Sequence, residues 1–433
     1  MIKELESKIS NKEAKIAIIG LGYVGLPLAI RFVDQGFAVT GIDNDYEKCE
    51  MLNNGKSYLS HIDSSLVSKL SKKNFKADLD FSLIKEVDII IICVPTPLNI
   101  DKSPDLSFIL DSINSIAPYL QKGQLLSLES TTYPGTTSEE IAPLLQKKGF
   151  EIGKDFFLIY SPEREDPGNQ NYSIQDIPKV CGGYTDNCLK VGKAIYSKII
   201  NKVVTVSSTR AAEMTKLLEN IHRSVNIGLV NEMKIIADAM DIDINEVISA
   251  AATKPFGFVP YRPGPGLGGH CIPIDPFYLS WKAKKYGLDA KFIELAGEIN
   301  LQMPEWVVGK IETHLNEKKK TISQSKILIL GVAYKKNVGD IRESPSITII
   351  ELISSLGGLV SYSDPYVDEI NELKDFKGPL KSTRLTKEIL EESDCVVLTA
   401  DHDDFDYDQI LELSNLIVDT RGKFPKNEKV KLA

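Results

Sequence analysis

A short apolar strand that runs directly into a glycine turn constrains this chain more than any other feature. The segment KIAIIGLGYVG, residues 15–25, places Gly20, Gly22 and Gly25 in the spacing G-x-G-x-x-G, and a helical pattern follows. A second apolar run, GFAVTGID, ends in Asp43. A strand, a glycine turn, a helix and an acidic residue about twenty positions downstream predict a dinucleotide-binding βαβ unit.

Each glycine of this turn has a separate task in such a site. Gly20 permits the tight turn, Gly22 lets the backbone approach a pyrophosphate, and Gly25 allows the helix to pack closely. The pyrophosphate would lie at the helix N-terminus, where N–H groups and the helix dipole favour an anion. Asp43 would bind the adenosine ribose and repel a 2′-phosphate, which predicts NAD rather than NADP. The alternative is a glycine turn without a ligand.

The order of strands repeats in the second half of the chain. SKILILGVAYK, GGLVSYSD, SDCVVLTAD and NLIVDTR follow one another as the strands do in the first half. Short apolar runs that alternate with helical patterns indicate parallel, doubly wound sheets. Between the halves, residues 209–241 have helical spacing and a single glycine, Gly228. The predicted fold class is α/β, with two Rossmann-like doubly wound parallel sheets joined by a long central helix.

Composition excludes several classes of protein. Hydrophobic residues make up 42% and charged residues 26% of 433 residues, which is typical of a globular protein. A net charge of −9 argues against general binding to nucleic acid. Residues 1–15 are charged throughout, unlike a signal peptide, and no apolar run reaches membrane-spanning length. We therefore expect a soluble, cytoplasmic protein with neither nucleic acid nor membrane as a partner.

One of the six cysteines lies in an unusual segment. Six cysteines in a chain of this length are too few for a secreted disulfide scaffold, and their spacing predicts no metal site. Cys271, however, lies within PGPGLGGHCIPIDP, where glycines would let a ligand approach and prolines would hold the thiol rigid. A thiol near a nicotinamide suggests attack on a carbonyl made by oxidation. The alternative is a packed thiol in a tight turn.

The second glycine turn is basic rather than glycine-rich. It keeps Gly331 but lacks the other two glycines, so we predict no dinucleotide cradle there. Lys335, Lys336 and Arg342 occupy this turn, and Arg421 follows a later strand. Cationic side chains at the carboxyl ends of parallel strands suit a diphosphate. These residues predict a phosphate-bearing substrate, with a solvated basic loop as the alternative.

Taken in order, these motifs resemble the UDP-glucose/GDP-mannose dehydrogenase family. The glycine turn, S-T-x-x-P-G-T, S-P-E, E-x-x-K-x-x-x-N, G-G-x-C and the second Rossmann-like region follow one another over nearly the whole chain. The resemblance implies that two NAD are used to oxidise the C6 alcohol of a nucleotide sugar to a carboxylate. It also implies an NAD-binding domain at 1–205, a central helical domain for dimerisation and the catalytic loop at 206–305, and a UDP-sugar-binding domain at 306–433. The expected assembly is a homodimer or a higher even oligomer formed through the central helix.

The resemblance gives individual residues catalytic roles. Cys271 would capture the C6 aldehyde as a thiohemiacetal, which a second oxidation would convert to a thioester. Lys216 and Asn220 are four positions apart and so share a helix face, and they would stabilise the oxygen that gains charge.

Acidic and hydroxyl groups complete the predicted site. Asp275 and Glu163 match acidic positions implicated in water activation and proton transfer, and Thr131 matches a threonine near the nicotinamide. The predicted cofactor contacts are Gly20, Gly22, Tyr23, Val24, Gly25, Asp43, Lys48, Pro95, Thr96, Thr131 and Arg342. The predicted substrate contacts are Glu163, Arg164, Lys216, Asn220, Lys254, Tyr261, Gly268, Lys335 and Arg421.

The identity of the sugar depends on the cysteine loop. PGPGLGGHCIP, with His270 before the cysteine, resembles the branch of the family that acts on UDP-N-acetylhexosamines. Ile274 stands where the UDP-glucose branch often has lysine, and Lys254 or Arg262 would replace that branch's arginine from a neighbouring subunit. We predict UDP-N-acetyl-D-glucosamine, with UDP-N-acetyl-D-mannosamine, UDP-N-acetylgalactosamine and UDP-glucose as alternatives, in a pathway of surface polysaccharide biosynthesis.

Two other functions remain as alternatives. One is a simple NAD-dependent alcohol dehydrogenase or epimerase that forms no covalent intermediate. The other is a non-catalytic protein that binds a nucleotide sugar, against which the complete set of cysteine, lysine and asparagine argues.

Overall fold

The computed structural model of the chain describes residues 1–59, 62–71, 74–164, 174–269, 272–374, 376 and 378–433. These residues form two compact units. The first contains Met1–Glu219 and Phe277–Asp289, and the second contains Asn220–Pro276 and Ala290–Ala433.

The first unit is built around one large sheet. Its strands are β1 Lys15–Ile19, β2 Ala38–Ile42, β3 Phe75–Asp78, β4 Ile89–Ile92, β5 Leu125–Leu128, β6 Phe157–Tyr160, β7 Lys179–Gly183 and β8 Val203–Val206. In the described part of the chain they lie in the order β3-β2-β1-β4-β5-β6-β7-β8, and β6 and β7 form the antiparallel pair. The order 3-2-1-4-5-6 of the first six strands is that of the dinucleotide-binding fold.

Continuous apolar runs form the central strands because both faces of the sheet are covered. Successive isoleucines of β4 alternate between two cores: Ile89 and Ile91 belong to one cluster, and Ile90 and Ile92 to the other. The helices of this unit are α1 Ile2–Asn11, α2 Gly25–Asp34, α3 Tyr46–Asn53, α4 Ser64–Ser71, α5 Ser107–Ile116, α6 Ala142–Lys147 and α7 Asp186–Tyr196.

Two further helices pass from one unit into the other along the chain. They are α8 Thr209–Ala239 and α10 Asp275–Lys284. Helix α8 is the single long helix that the spacing of its residues predicts. Its one glycine has a packing reason, since a Cβ on Gly228 would lie 3.2 Å from the Cα of Ala296.

The second unit contains a parallel sheet of the other doubly wound type. Its strands are β9 Lys326–Leu330, β10 Leu359–Ser363, β13 Cys395–Leu398, β14 Ile417–Asp419 and β15 Val430–Leu432, and a small antiparallel pair consists of β11 Glu369–Ile370 and β12 Leu380–Lys381. The order β10-β9-β13-β14-β15 corresponds to 2-1-3-4-5. The helices are α9 Ile244–Ala251, α11 Lys291–Glu317, α12 Pro345–Ser355, α13 Lys387–Glu392 and α14 Tyr407–Leu413. The predicted fold class is confirmed.

The described residues contain neither a candidate membrane span nor a candidate metal cluster. None of the helices there has the length and apolar character that a membrane span requires. No group of three histidine, cysteine or acidic side chains in that part of the chain is arranged to hold a metal ion.

Candidate active site

The glycine turn after β1 has the geometry that a bound pyrophosphate requires. Gly20 has φ +87°, and a Cβ there would lie 2.7 Å from the carbonyl oxygen of Cys93. A Cβ on Gly25 would lie 1.9 Å from the carbonyl oxygen of Gly20, so the first turn of α2 is pressed against the loop. Around Gly22, in contrast, a Cβ would meet no atom within 4 Å. The middle glycine therefore leaves open space at the N-terminus of α2, where an anion is favoured.

The acidic residue after β2 closes this turn from the neighbouring strand. Asp43 is buried, and its carboxylate accepts the N–H of Leu21 at 2.8 Å and that of Asp45 at 3.1 Å. Asp45 in turn caps α3 by accepting the N–H of Lys48 at 3.2 Å. The hydroxyl of Tyr58 donates to the carbonyl of Leu21. Tyr58 was missed in the sequence because no motif marks an aromatic residue whose partner lies in a turn distant in the chain.

The remaining residues predicted to contact the cofactor follow the carboxyl ends of neighbouring strands. Tyr23 and Val24 are half-buried in the glycine turn, while Pro95 is exposed and Thr96 is buried after β4. Thr131 is half-buried after β5. This edge of an open α/β sheet is where ligands bind, and the open space with its buried carboxylate fits NAD.

The loops after β4 and β5 are tied to each other and to α8. Ser130 donates its hydroxyl to the carbonyl of Val94 at 2.7 Å. The buried carboxylate of Glu213 accepts the N–H of Gly135 at 2.6 Å and both the N–H and the hydroxyl of Thr137, at 2.9 and 2.6 Å. Glu213 is the first residue of the E-x-x-K-x-x-x-N motif, so this glutamate anchors the S-T-x-x-P-G-T loop to the helix that carries the lysine.

The S-P-E turn brings three of the predicted site residues together in the first unit. Lys216 donates to the main-chain carbonyl of Glu163 at 2.7 Å. The guanidinium of Arg164 forms a two-point ion pair with Glu219, at 2.6 and 3.1 Å, and donates to the carbonyl of Pro178 at 2.6 Å. Lysine and glutamate of α8 therefore hold this turn from two sides, so the Glu163 carboxylate has a defined orientation.

A buried lysine stands behind this turn. Lys179, the first residue of β7, lies 2.7 Å from the carboxylate of Glu129 and 3.3 Å from that of Glu163. Burial by itself raises the pKa of Glu163, but the charges of Lys179 and Lys216 and the N–H of Arg164 outweigh it and leave the pKa below its ordinary value. Sequence reasoning missed Lys179 and Glu129. The available signal was a charged residue at the end of each of two strands, Glu129 directly after β5 and Lys179 at the start of β7, since buried charges are normally paired.

The second unit holds another pair of predicted catalytic residues in contact. Asn220, on α8, donates its side-chain N–H to the carboxylate of Asp275. Asp275 begins α10 and is 2% exposed. The predicted nucleophile Cys271 and its neighbour His270 lie outside the described residues. Asp275 follows this segment closely in the sequence, so the Asn220–Asp275 pair joins α8 to the end of the predicted catalytic loop.

The glycine-proline loop that precedes Cys271 is held on both sides. A Cβ on Gly268 would lie 2.6 Å from the Cβ of Tyr334, and Gly269 donates its N–H to the carbonyl of Arg342 at 2.9 Å. Earlier in the loop, the side chain of Asn231 accepts the N–H of Gly264 at 3.0 Å. The turn after β9 and helix α8 therefore both position this loop within the second unit.

An asparagine pair and an arginine complete the support of this loop. Asn231 donates to the side-chain oxygen of Asn300 at 2.9 Å, and Asn300 donates to the carbonyl of Ser224 at 3.2 Å. A Cβ on Gly264 would lie 2.8 Å from a guanidinium nitrogen of Arg421, whose Nε donates to the carbonyl of Thr399 at 2.8 Å. The structure thus brings Arg421, which follows β14, to the loop.

The other predicted ligand residues of the second unit are more exposed. The side chain of Arg342 is paired with Asp340, with nitrogen–oxygen distances of 2.6 to 3.0 Å. Lys335 is half-buried. The hydroxyl of Tyr261 lies 3.0 Å from Nδ1 of His222, and Lys254 is exposed.

The second glycine turn differs from the first in the surroundings of its acidic residue. Gly331 has φ +79°, as in the first turn, and Asp364 accepts the N–H groups of Val332 and Ala333 at 2.7 and 3.2 Å. Here, however, the ring of buried His402 lies 3.1 Å from the same carboxylate. In the first unit a ribose would lie beside Asp43. At the corresponding place beside Asp364, the second unit has the His402 ring, which agrees with the absence of the other two glycines from its turn.

Comparison with known proteins identifies related chains. Three sequence models of the UDP-glucose/GDP-mannose dehydrogenase family match: the NAD binding domain over residues 14–200, the central domain over 210–302 and the UDP binding domain over 328–426. The UDP-N-acetyl-D-glucosamine 6-dehydrogenase of Pseudomonas aeruginosa is 34% identical over 84% of this chain and 86% of its own. The UDP-N-acetyl-D-mannosamine dehydrogenase of Methanococcus maripaludis is 35% identical over 95% and 94%. Among solved structures, the UDP-D-ManNAc dehydrogenase of Pyrococcus horikoshii superposes with a TM-score of 0.86 at 30% identity, covering 96% of this chain and 98% of that one.

Proposed function

Because the chain belongs to the UDP-glucose/GDP-mannose dehydrogenase family of NAD-dependent enzymes, we propose that it oxidises the C6 alcohol of UDP-N-acetyl-D-glucosamine to the carboxylate through Cys271. The alternative substrate is UDP-N-acetyl-D-mannosamine, since the names of the relatives divide between these two sugars. The observation that carries the proposal is the contact between Asn220 and Asp275, which joins the E-x-x-K-x-x-x-N helix to the segment that follows Cys271.

The chain's own residues divide the tasks of the proposed reaction. NAD, when bound, accepts a hydride in each of the two oxidations. The Lys216 ammonium has three N–H donors, of which the carbonyl of Glu163 takes one. Together with the Asn220 amide, it supplies donors for an oxygen that gains negative charge.

The two carboxylates suit different parts of the proton transfers. Glu163 has a pKa below its ordinary value and is therefore ionised at neutral pH, so we assign it the acceptance of a proton or the orientation of a water. Asp275 is buried and accepts a hydrogen bond from the amide of Asn220, which restrains its carboxylate. The proposed thioester on Cys271 requires such a group to activate the water that releases the product.

The test is the amount of NADH formed per mole of limiting sugar nucleotide. We would compare UDP-N-acetylglucosamine with UDP-N-acetylmannosamine, UDP-N-acetylgalactosamine and UDP-glucose. The proposal expects about two equivalents of NADH, because the four-electron oxidation consumes two NAD. Cys271→Ala should abolish turnover, whereas Cys395→Ala, which removes a buried thiol from β13, should retain it.

Each rival function predicts a different result. One equivalent of NADH with a free aldehyde, or full activity in Cys271→Ala, would refute the covalent route. If none of the four sugars is oxidised while UDP still raises the melting temperature, the non-catalytic alternative is favoured. A preference of at least tenfold in kcat/KM for the manno epimer would replace the proposed substrate.

We also propose that the enzyme is a dimer formed through α8. Leu229, Met233 and Ile236 on this helix, and Met240 just after its end, are between 40% and 64% exposed. Their spacing of four, three and four residues puts them on one face, and an exposed apolar stripe of this kind marks an interaction surface. Met233→Glu should yield monomers in light scattering coupled to size exclusion, and Leu288→Glu, at another exposed leucine, should not. A wild-type monomer would refute this proposal.

A further inference from the structure

We propose that Lys179 is a positioning residue, whose buried ammonium holds the Glu163 carboxylate ionised and oriented while Glu129 balances the lysine's charge. The proposal rests on the proposed function, because it takes Glu163 to be the group that accepts a proton. No motif of the chain includes Lys179 or assigns it a task.

The ammonium of Lys179 lies between two carboxylates and forms an ion pair with each of them. Its side chain is 5% exposed, that of Glu129 is fully buried, and that of Glu163 is 16% exposed. The amine lies 2.7 Å from Glu129, 3.3 Å from Glu163 and 3.4 Å from the carbonyl of Pro162. It therefore contacts both the side chain and the backbone of the S-P-E turn, whereas Lys216 contacts the main-chain carbonyl of Glu163.

Glu129 is anchored at its other oxygen. The hydroxyl of Tyr196, on α7, donates to Glu129 and lies 2.8 Å from the hydroxyl of Ser127. The Lys179 amine also lies 5.0 Å from the centre of the Tyr196 ring. These hydrogen bonds hold the Glu129 carboxylate in place. The Lys179 ammonium lies between this carboxylate and that of Glu163 and contacts both.

The charges of this group balance only while the lysine is present. Two carboxylates face one ammonium in a buried region, and a buried charge that loses its partner is strongly disfavoured. Without Lys179, the remaining carboxylates would repel each other, and one of them would take up a proton. Glu129, whose pKa burial already raises, and Glu163 would share this proton. For the part of the time that Glu163 carries it, Glu163 is a carboxylic acid and does not accept a proton.

Among the described residues, few other charged or titratable side chains lie close to Glu163. Lys216 and Arg164 contact it from α8 and from its own turn, and Glu219 pairs with Arg164. Burial raises the pKa of Cys93, behind Glu129, and that of Tyr196, so both stay neutral in the working range. Burial likewise raises the pKa of Glu129, although Lys179 partly opposes this effect. The balance between Glu129, Lys179 and Glu163 therefore sets the protonation of Glu163.

The experiment compares four variants by their profile of kcat/KM against pH. Lys179→Met should move the acidic limb upward by about one pH unit or more, so that kcat/KM on the acidic side of the limb falls about tenfold while its value near neutral pH changes little. Lys179→Arg keeps the charge and should keep the limb in place. Glu129→Gln leaves Lys179 to Glu163 alone and should not raise the limb.

A double variant keeps the test valid if Lys179→Met is unstable. Lys179→Met with Glu129→Gln removes one charge of each sign and should return the limb toward the wild-type position. NAD affinity and the melting temperature of each variant report whether the first unit is folded. If Lys179→Met loses stability or activity but keeps the wild-type limb, Lys179 is only a structural residue and the proposal is overturned.

A measurement that needs no turnover separates this proposal from the proposed function. Infrared spectra at about pH 6 detect the C=O stretch of a protonated carboxylic acid, a pH at which an unperturbed glutamate is ionised. Lys179→Met should show a band that the wild type lacks. Adding Glu163→Gln to Lys179→Met should remove this band. Wild type without activity on any sugar, but with this band in Lys179→Met, would sink the proposed function alone. Absence of the band would sink the assignment of Lys179.

Discussion

Two neighbouring glycines of the first turn should respond in opposite ways to the same added methyl group. A Cβ on Gly25 would lie 1.9 Å from the carbonyl oxygen of Gly20, which is backbone and cannot rotate away. The loop and α2 would have to separate by more than an ångström, and overpacking of this kind costs about 1–3 kcal/mol or more. Gly25→Ala should therefore lower the melting temperature and weaken NAD binding together.

Gly22→Ala should leave stability intact and reduce only affinity for NAD. A Cβ there would meet no protein atom within 4 Å. The change in folding free energy should therefore stay within about 0.5 kcal/mol, as for ordinary surface substitutions. The methyl group would instead occupy the space through which the backbone approaches the pyrophosphate. We expect an increase in Kd of at least about tenfold, which corresponds to about 1.4 kcal/mol.

The assay is calorimetric titration with NAD beside thermal unfolding without ligand. The two variants form a matched pair because each adds one methyl group to the same loop. If Gly22→Ala binds NAD with the wild-type Kd, the open space beside Gly22 is not the cofactor's path. If Gly25→Ala is as stable as the wild type, the close packing of α2 on the loop is not the reason for the third glycine.

Three further predictions concern the acidic residue, the cysteine loop and a buried lysine. Asp43→Asn should raise the ratio of NADP to NAD in kcat/KM by about tenfold or more, because the charge that repels a 2′-phosphate is gone; an unchanged ratio would contradict that role. Asn231→Leu removes the acceptor of the Gly264 N–H and should lower kcat more than NAD affinity; equal losses would point to general unfolding. The pKa of Lys234 is lowered to about 7, by burial and then by Arg421. In the unfolded chain this amine stays protonated up to about pH 10, so between about pH 7 and pH 10 the unfolded chain binds more protons than the folded one. The free energy of unfolding should therefore rise with pH in this range, and Lys234→Met should flatten that rise in thermal melts. An unaltered slope would refute this prediction.

Features that depend on neighbouring residues in the chain were accessible from the sequence. The strand and glycine turn at residues 15–25 and the long helix α8 carry their periodicity and their turn chemistry within one short window. The same applies to the strands of the second unit, whose apolar runs follow one another along the chain as those of the first unit do. NAD as cofactor follows from the turn and from the acidic residue at the end of β2, and the matched family confirms it.

Other elements gave little local signal. β3 is four residues long, and its sequence, FKAD, has no apolar run. β7 and β8 extend the first sheet after an antiparallel step, which depends on how the chain returns to the sheet edge. Such pairing depends on residues far away in the sequence, so neither propensity nor periodicity predicts it.

The tertiary structure alone decided how the predicted residues are supported. The sequence by itself determined which residue types stand in the motifs, among them Glu163, Lys216 and Asn220. Only folding placed Lys179 against Glu129 and Glu163, and Asn231 under the glycine-proline loop, because these contacts join strands and helices that are distant in the chain. The physical reason is that burial removes water from such groups, and each charge or amide must then find its partner wherever the fold brings one.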